Sequence, residues 1–281
     1  MNDILVPFMF SMGVVIFITL VASRLSIISS YELYDTGRLR HSMGFLYPSH
    51  PAHMFFYWVC SYLLIKRNNI SYMELIILFI LNFLLYRESV TKNPFYLTAF
   101  VIVIAGIIKK GFSGENKLNR WYLYLSNSMF IISPLVTLWF IYKSPSSLFV
   151  HVNSFVNGRL ILAFNGLNKY GIHWFSQNVQ FVTRNNMNLF SSYDYIDSGY
   201  IQMLVMYGII FTVIVLFLYS FLIYKVNKVG DLLFSIILIV IAVYNIFDPT
   251  LIYLWYNPFV LLCGRFFLEN TSLSIKDNQF V

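Results

Sequence analysis

Residues 201–226 read IQMLVMYGIIFTVIVLFLYSFLIYKV, and this run decides the class of fold. As a helix it is longer than the ~30 Å hydrocarbon layer of a bilayer, and Lys225 is its single charge. Such a segment has no solvent-facing side, so it predicts a membrane span. Reading outward gives seven further apolar stretches: Ile4 to Ala22, Ala52 to Ile65, Tyr72 to Tyr86, Pro94 to Ile108, Trp121 to Tyr142, Leu232 to Phe247 and Leu251 to Leu268. The whole chain agrees with them, since 58% of its 281 residues are hydrophobic and 11% charged, a composition that excludes an ordinary soluble domain.

Only helices and closed barrels satisfy their backbone polar groups inside lipid. The expected fold class is therefore all-α: a polytopic integral membrane protein of about eight transmembrane helices, forming a single transmembrane domain over residues 1–281. Spans two to four are short, so a buried or re-entrant hairpin stays open for them. Ser71 with Glu74 predicts a capping box, Asn93-Pro94 an N-cap with a helix-starting proline, and Asp231 a cap for the seventh span. The first apolar stretch follows Asn2-Asp3 with no basic residue and no small-x-small cleavage site, so it reads as a retained span and not a signal peptide.

With the N-terminus inside, the inner loops collect Lys66, Arg67, Lys109, Lys110, Lys117, Arg120, Lys225 and Lys228, while the short outer turns hold Arg87 and Lys92. That pattern obeys the positive-inside rule and puts both termini in the cytoplasm. Two long polar loops, 24–50 and 143–198, then lie outside, together with all five histidines. The formal charge of +7 follows from this topology and marks no nucleic-acid patch. Cys60 and Cys263 sit within apolar runs as buried inert thiols.

The outer loops hold the candidate chemistry. In the first, Arg38 and Arg40 offer guanidinium forks suited to phosphate oxygens. Pro51 begins the second span, whose free N–H groups favour an anion, and His50 and His53 at that helix start are candidates for proton transfer or are simply hydrogen-bonded interfacial side chains. In the larger loop, Leu160, Ala163, Phe164, Leu167 and Tyr170 form one helical stripe, predicting a short amphipathic helix that starts at Arg159. A cation is unfavourable at a helix N-terminus, so Arg159 reads as serving a bound anion or as snorkelling to the interface. Arg184 begins a turn of asparagines, and Asp197 stands just before span six, where capping and acid–base work are both open. Gly171 to Phe181 reads as extended, and Gly208 as a point of close helix approach. The chain has no P-loop, no His-Glu-x-x-His helix, no Gly-x-Ser-x-Gly elbow and no Asp-x-Asp pair, so no metal or cofactor is implied.

Gly37-Arg38-Leu39-Arg40-His41-Ser42-Met43-Gly44-Phe45 followed by Pro48 resembles the loop of Wzy-type polysaccharide polymerases, members of the O-antigen polymerase and ligase superfamily. Thr91 to Phe95 resembles that family's Ser-Arg-Thr segment. Asn157-Gly158-Arg159 and Ile196-Asp197-Ser198-Gly199-Tyr200 through Gly208 are similar to its second arginine loop and the helix that follows. The likeness runs from about Tyr34 to Asn257, with Pro48-Ser49 where Pro-Asn is usual and Lys92 where Arg is usual. Family members generally carry additional N-terminal spans, so the resemblance implies a short variant or the remaining half of a longer protein.

The resemblance implies polymerisation of undecaprenyl-pyrophosphate-linked oligosaccharide repeats into surface polysaccharide at the outer face of the bacterial cytoplasmic membrane, without a metal. Its partners would be that lipid-linked substrate, membrane lipid, a chain-length regulator and a flippase. It assigns Arg38, Arg40, Arg159 and Arg184 to the pyrophosphate and His53, His50 or Asp197 to base catalysis. A ligase of the same superfamily, a non-enzymatic flippase and an inactive remnant are the alternatives.

Overall fold

A computed structural model describes residues 1–35, 38–111, 119–183 and 193–268. The chain is mostly helical. Its elements run α1 (Asn2–Arg24), β1 (Glu32–Asp35), β2 (Arg38–His41), α2 (His50–Lys66), α3 (Tyr72–Ser89), α4 (Lys92–Gly111), α5 (Arg120–Tyr142), α6 (Ser147–Phe155), α7 (Arg159–Tyr170), α8 (Gly199–Val229), α9 (Leu232–Phe247) and α10 (Phe259–Leu268).

Among the described residues, four helices are long and apolar enough to cross a membrane: α1, the Lys92–Lys109 part of α4, α5 and α8. The α6–α7 pair, bent by 114°, would count as a fifth if it were one broken span, and α9 is apolar but has 16 residues. The bundle is apolar outside as well as inside. Ile76, Ile77, Ile80, Phe83 and Leu84 on α3 and Phe10, Phe17 and Ile18 on α1 are exposed, an outer surface that suits lipid and not water.

The expected helix boundaries hold at two places. Ser71 Oγ accepts from Glu74 N at 3.1 Å while Glu74 Oε2 accepts from Ser71 N at 2.6 Å, and Asp231 Oδ1 accepts from Phe234 N at 3.1 Å. They fail at two others. Helix α4 already begins at Lys92, which puts Asn93 inside its first turn and frees its side chain for a distant partner. The eighth span, expected from Leu251, is helical only from Phe259. Asn257 Oδ1 accepts from Phe259 N at 3.0 Å, so Asn257-Pro258 starts this helix by the signal wrongly placed at Asn93-Pro94.

The first loop of this mostly helical chain folds into a small antiparallel hairpin that was not expected, with Asp35 paired to Arg38 and Leu33 to Arg40. Its alternation is short and interrupted by charge, and no hairpin signal stood out in it. The larger loop holds a second short helix, α6, beside the expected amphipathic one. The predicted stripe of α7 does bury itself: Leu160 and Ala163 pack with Phe149 of α6, Ile141 of α5, and Ile201 and Val205 of α8.

Helix α8 is broken. Its 31 residues would run about 46 Å if straight, against about 24 Å for the 16 residues of α9. Yet both helices meet at both ends. Gly230 and Asp231 join them at one end, and at the other a Cβ on Gly199 would stand 3.0 Å from Asn245 Oδ1 and 3.1 Å from Pro249 Cα. The length is absorbed at Gly208, whose φ of 83° and ψ of 176° are accessible to glycine almost alone. The segment expected to be extended after Gly171 fills this break. His173 O accepts from Ile209 N at 2.9 Å, Trp174 O from Ile210 N at 3.3 Å, and Gln177 N donates to Met206 O at 3.1 Å. Close approach at Gly208 is therefore made by a loop backbone and not by a neighbouring helix.

Candidate functional site

The N-terminal ends of α2, α4, α7 and α8 and the C-terminal ends of α3 and α9 meet at one end of the bundle. Asp248, the residue that follows α9, is the hub there. Pro249 holds it in an extended conformation, φ −141° and ψ 130°, and the carboxylate turns inward, 4% exposed. Arg159 Nη1 lies 3.2 Å from its Oδ2, Asn93 Nδ2 donates to the same oxygen at 3.1 Å, and His53 Nε2 is 3.9 Å from Oδ1. A buried carboxylate is tolerable only when paired and hydrogen-bonded in this way.

Arg159 donates through Nη1 to the carbonyl of Phe247, the last residue of α9, as well. It thus sits at the start of its own helix, where a cation is disfavoured, but at the C-terminus of another, where a cation is favoured. Arg40 does the same at α3. Its Nε donates to Ser89 O at 2.9 Å and its Nη2 to Thr91 Oγ1 at 3.1 Å. Thr91, which Arg40 holds, lies two residues before Asn93, which holds Asp248 and through it Arg159, and both guanidinium groups are close enough to act electrostatically on His53.

His53 is buried, with Nδ1 hydrogen-bonded to the Tyr244 hydroxyl and its ring 5.7 Å from that of Tyr256. His50, one turn earlier, lies nearer the surface between Tyr47, at 5.3 Å, and Tyr256, at 5.8 Å. Asp197 is half-buried. It does not cap α8: the N-cap is Ser198, whose side chain makes no capping bond. Burial pushes the Asp197 carboxyl up to about 6, with Arg159 opposing the rise and Asp248 adding to it. A carboxylate near neutral pH beside a guanidinium is suited to take a proton and return it.

The structure brings His50, His53, Arg40, Arg159 and Asp197 to one place. Arg38 is carried on the same strand as Arg40, and nothing is described of its side chain; Arg184 lies outside the described residues. Asp248, Asn93 and Tyr244 were missed. The available signal was Asp248 itself, an acid bordering a span in a chain that spends almost no charge there. The other acid of the larger loop, Asp194, belongs elsewhere, bonded to Lys169 and, at 2.6 Å, to the Tyr170 hydroxyl.

No protein-family model matches the chain, and no match was found among curated proteins or solved structures.

Proposed function

We propose that the chain is a membrane glycosyltransferase of the polysaccharide-polymerase kind, working on lipid-linked oligosaccharide repeat units at the outer face of a bacterial cytoplasmic membrane. The observation that carries this reading is the convergence of Arg40 and Arg159, from separate loops, on one acid–base cluster at the end of an apolar bundle. In this reading the eight long or apolar helices other than α6 and α7 all cross the bilayer, both termini are cytoplasmic, and the cluster faces outward. The opposite end carries Lys66, Arg67 and Lys109, with Arg67 paired to Asp231 at 2.8 Å, as the positive-inside rule asks of a cytoplasmic end.

The chemistry follows from the charges. A hydroxyl of one repeat unit attacks the sugar carbon that bears the pyrophosphate of another. The new C–O bond forms as the bond to the pyrophosphate oxygen breaks, and the electron pair leaves with the diphosphate. Asp197 takes the hydroxyl proton, and the guanidinium groups stabilise negative charge on the departing group. Nη1 of Arg159 is held by Asp248 and Phe247, which orients the rest of the fork toward the ligand. Asp248 and Asn93 hold Arg159 in place and do not react.

Gene deletion followed by analysis of lipid-linked glycans on each membrane face tests the reading. Single repeat units stranded outside support it; long chains left on the carrier identify a ligase, single units stranded inside a flippase, and an unchanged profile an inactive chain, each of which overturns it. Arg159→Ala should abolish long chains while the protein still inserts, and chains of normal length in that variant would remove Arg159 from the reaction.

A further inference from the structure

The turn between α9 and α10 replaces what the sequence suggested as the start of a span, and its aromatic residues are joined to both sides of the cluster. Trp255 stacks on Tyr253, with ring centroids 4.6 Å apart and planes 18° apart, and meets Tyr256 at 6.0 Å and 61°. Tyr256 in turn stands edge-on to His50 and His53. On the other side, Tyr253 OH donates to Gln202 Oε1 at 3.0 Å, and Gln202 Nε2 donates to the carbonyl of Ile196, next to Asp197, at 3.3 Å. An indole that is 58% exposed is therefore fixed between the histidine side and the Asp197 side of the site.

An exposed tryptophan near a membrane surface has an ordinary explanation, anchoring at the headgroups. Trp121 and Trp174 suit that role, at 80% and 66% exposed with no aromatic ring paired to them among the described residues. Trp255 differs, since its orientation is set by a tyrosine on each side and those tyrosines are tied to the acid–base groups. A rigid aromatic face joined to an amide side chain on one side and to histidines on the other has the chemistry of a sugar site. The C–H bonds on one face of a pyranose carry slight positive charge and pack on the negative face of the indole, while its hydroxyls bond to neighbouring polar groups.

We propose that Trp255 is the stacking platform of a pyranose subsite, holding the sugar unit whose hydroxyl is activated by Asp197. This rests on the glycosyl-transfer reading and adds to it the place where the accepting sugar lies. Tyr253 and Tyr256 set the angle of the platform, and Gln202 ties it to the start of α8.

The test uses the full chain in lipid nanodiscs and, as probe, the oligosaccharide released by mild acid from lipid-linked repeat units of the deletion strain, with binding followed by saturation-transfer NMR. Wild type should bind, Trp255→Leu should weaken binding about tenfold or more, and Trp255→Phe should stay within about threefold, because stacking needs a ring and headgroup anchoring needs only apolar bulk. Equal binding by wild type and Trp255→Leu, or no binding by wild type, overturns the subsite. Arg159→Ala separates the two ideas: loss of sugar binding only in Trp255→Leu, with normal chains in Arg159→Ala, keeps the subsite and overturns the polymerase chemistry. Loss of long chains in Arg159→Ala with unaltered sugar binding in Trp255→Leu does the reverse.

Discussion

At Arg159 the sequence showed a cation set against its local dipole, open between a bound anion and snorkelling, but gave no sign of a partner within the protein. The partner inside the protein is Asp248 with the end of α9, a contact between residues far apart in sequence that no spacing rule encodes. Asp197 was open between capping and acid–base work, and the structure takes away the cap, leaving a carboxyl that burial lifts to about 6. If Asp197 is the base, the ionised form is the active one. Transfer measured as kcat/KM should then fall about tenfold per pH unit below 6 and level off above it. In Asp197→Asn the residual rate should lose that step, and a pH profile still bending near 6 in this variant would place the base elsewhere.

At the scale of elements, the helices were largely legible because long apolar runs and local caps are properties of neighbouring residues. Ser71, Glu74 and Asp231 act as their sequence says. Asn93 and Asn257 show the limit, since both precede proline and only the second caps a helix. What separates them is Asp248, a tertiary partner that draws the Asn93 side chain away. Gly208 was legible only as a close approach. A Cβ there would stand 2.6 Å from the carbonyl oxygen of Phe175 and would hold a backbone conformation costing about 1–3 kcal/mol. Gly208→Ala should accordingly lower the thermal midpoint of the detergent-purified protein by several degrees, while Gly264→Ala, with open space at its Cβ, should leave it unchanged. Equal midpoints for both would mean that the break in α8 is relaxed.

For the whole molecule, charge is sorted to the two ends of an apolar body. One end gathers Arg40, Arg159, His53, Asp197 and Asp248; the other gathers Lys66, Arg67, Glu74 and Asp231. The proposed eight-span topology turns this sorting into a labelling experiment. Tyr34→Cys and Phe155→Cys, both at strongly exposed positions, should react with a membrane-impermeant maleimide added to intact cells, and Asn68→Cys and Asn119→Cys should react only after permeabilisation. Labelling of all four from one side would discard the topology. The overall class was readable because lipid accepts so few kinds of surface, and the two loops were expected to share a site; the carboxylate that holds Arg159 there, Asp248, was not foreseen, because loops are placed by contacts and not by periodicity.

The extended segment after Gly171 has one more consequence. It supplies acceptors to the amides of Ile209 and Ile210 at the point where α8 is interrupted. Cutting or deleting this stretch would take the acceptors from two backbone donors of an apolar helix, each of which costs about 1–3 kcal/mol when left buried and unpaired. A peptide that looks like a dispensable connector is thus a seam of the scaffold, and a protease nick in it should inactivate the protein as surely as damage to the charged cluster itself.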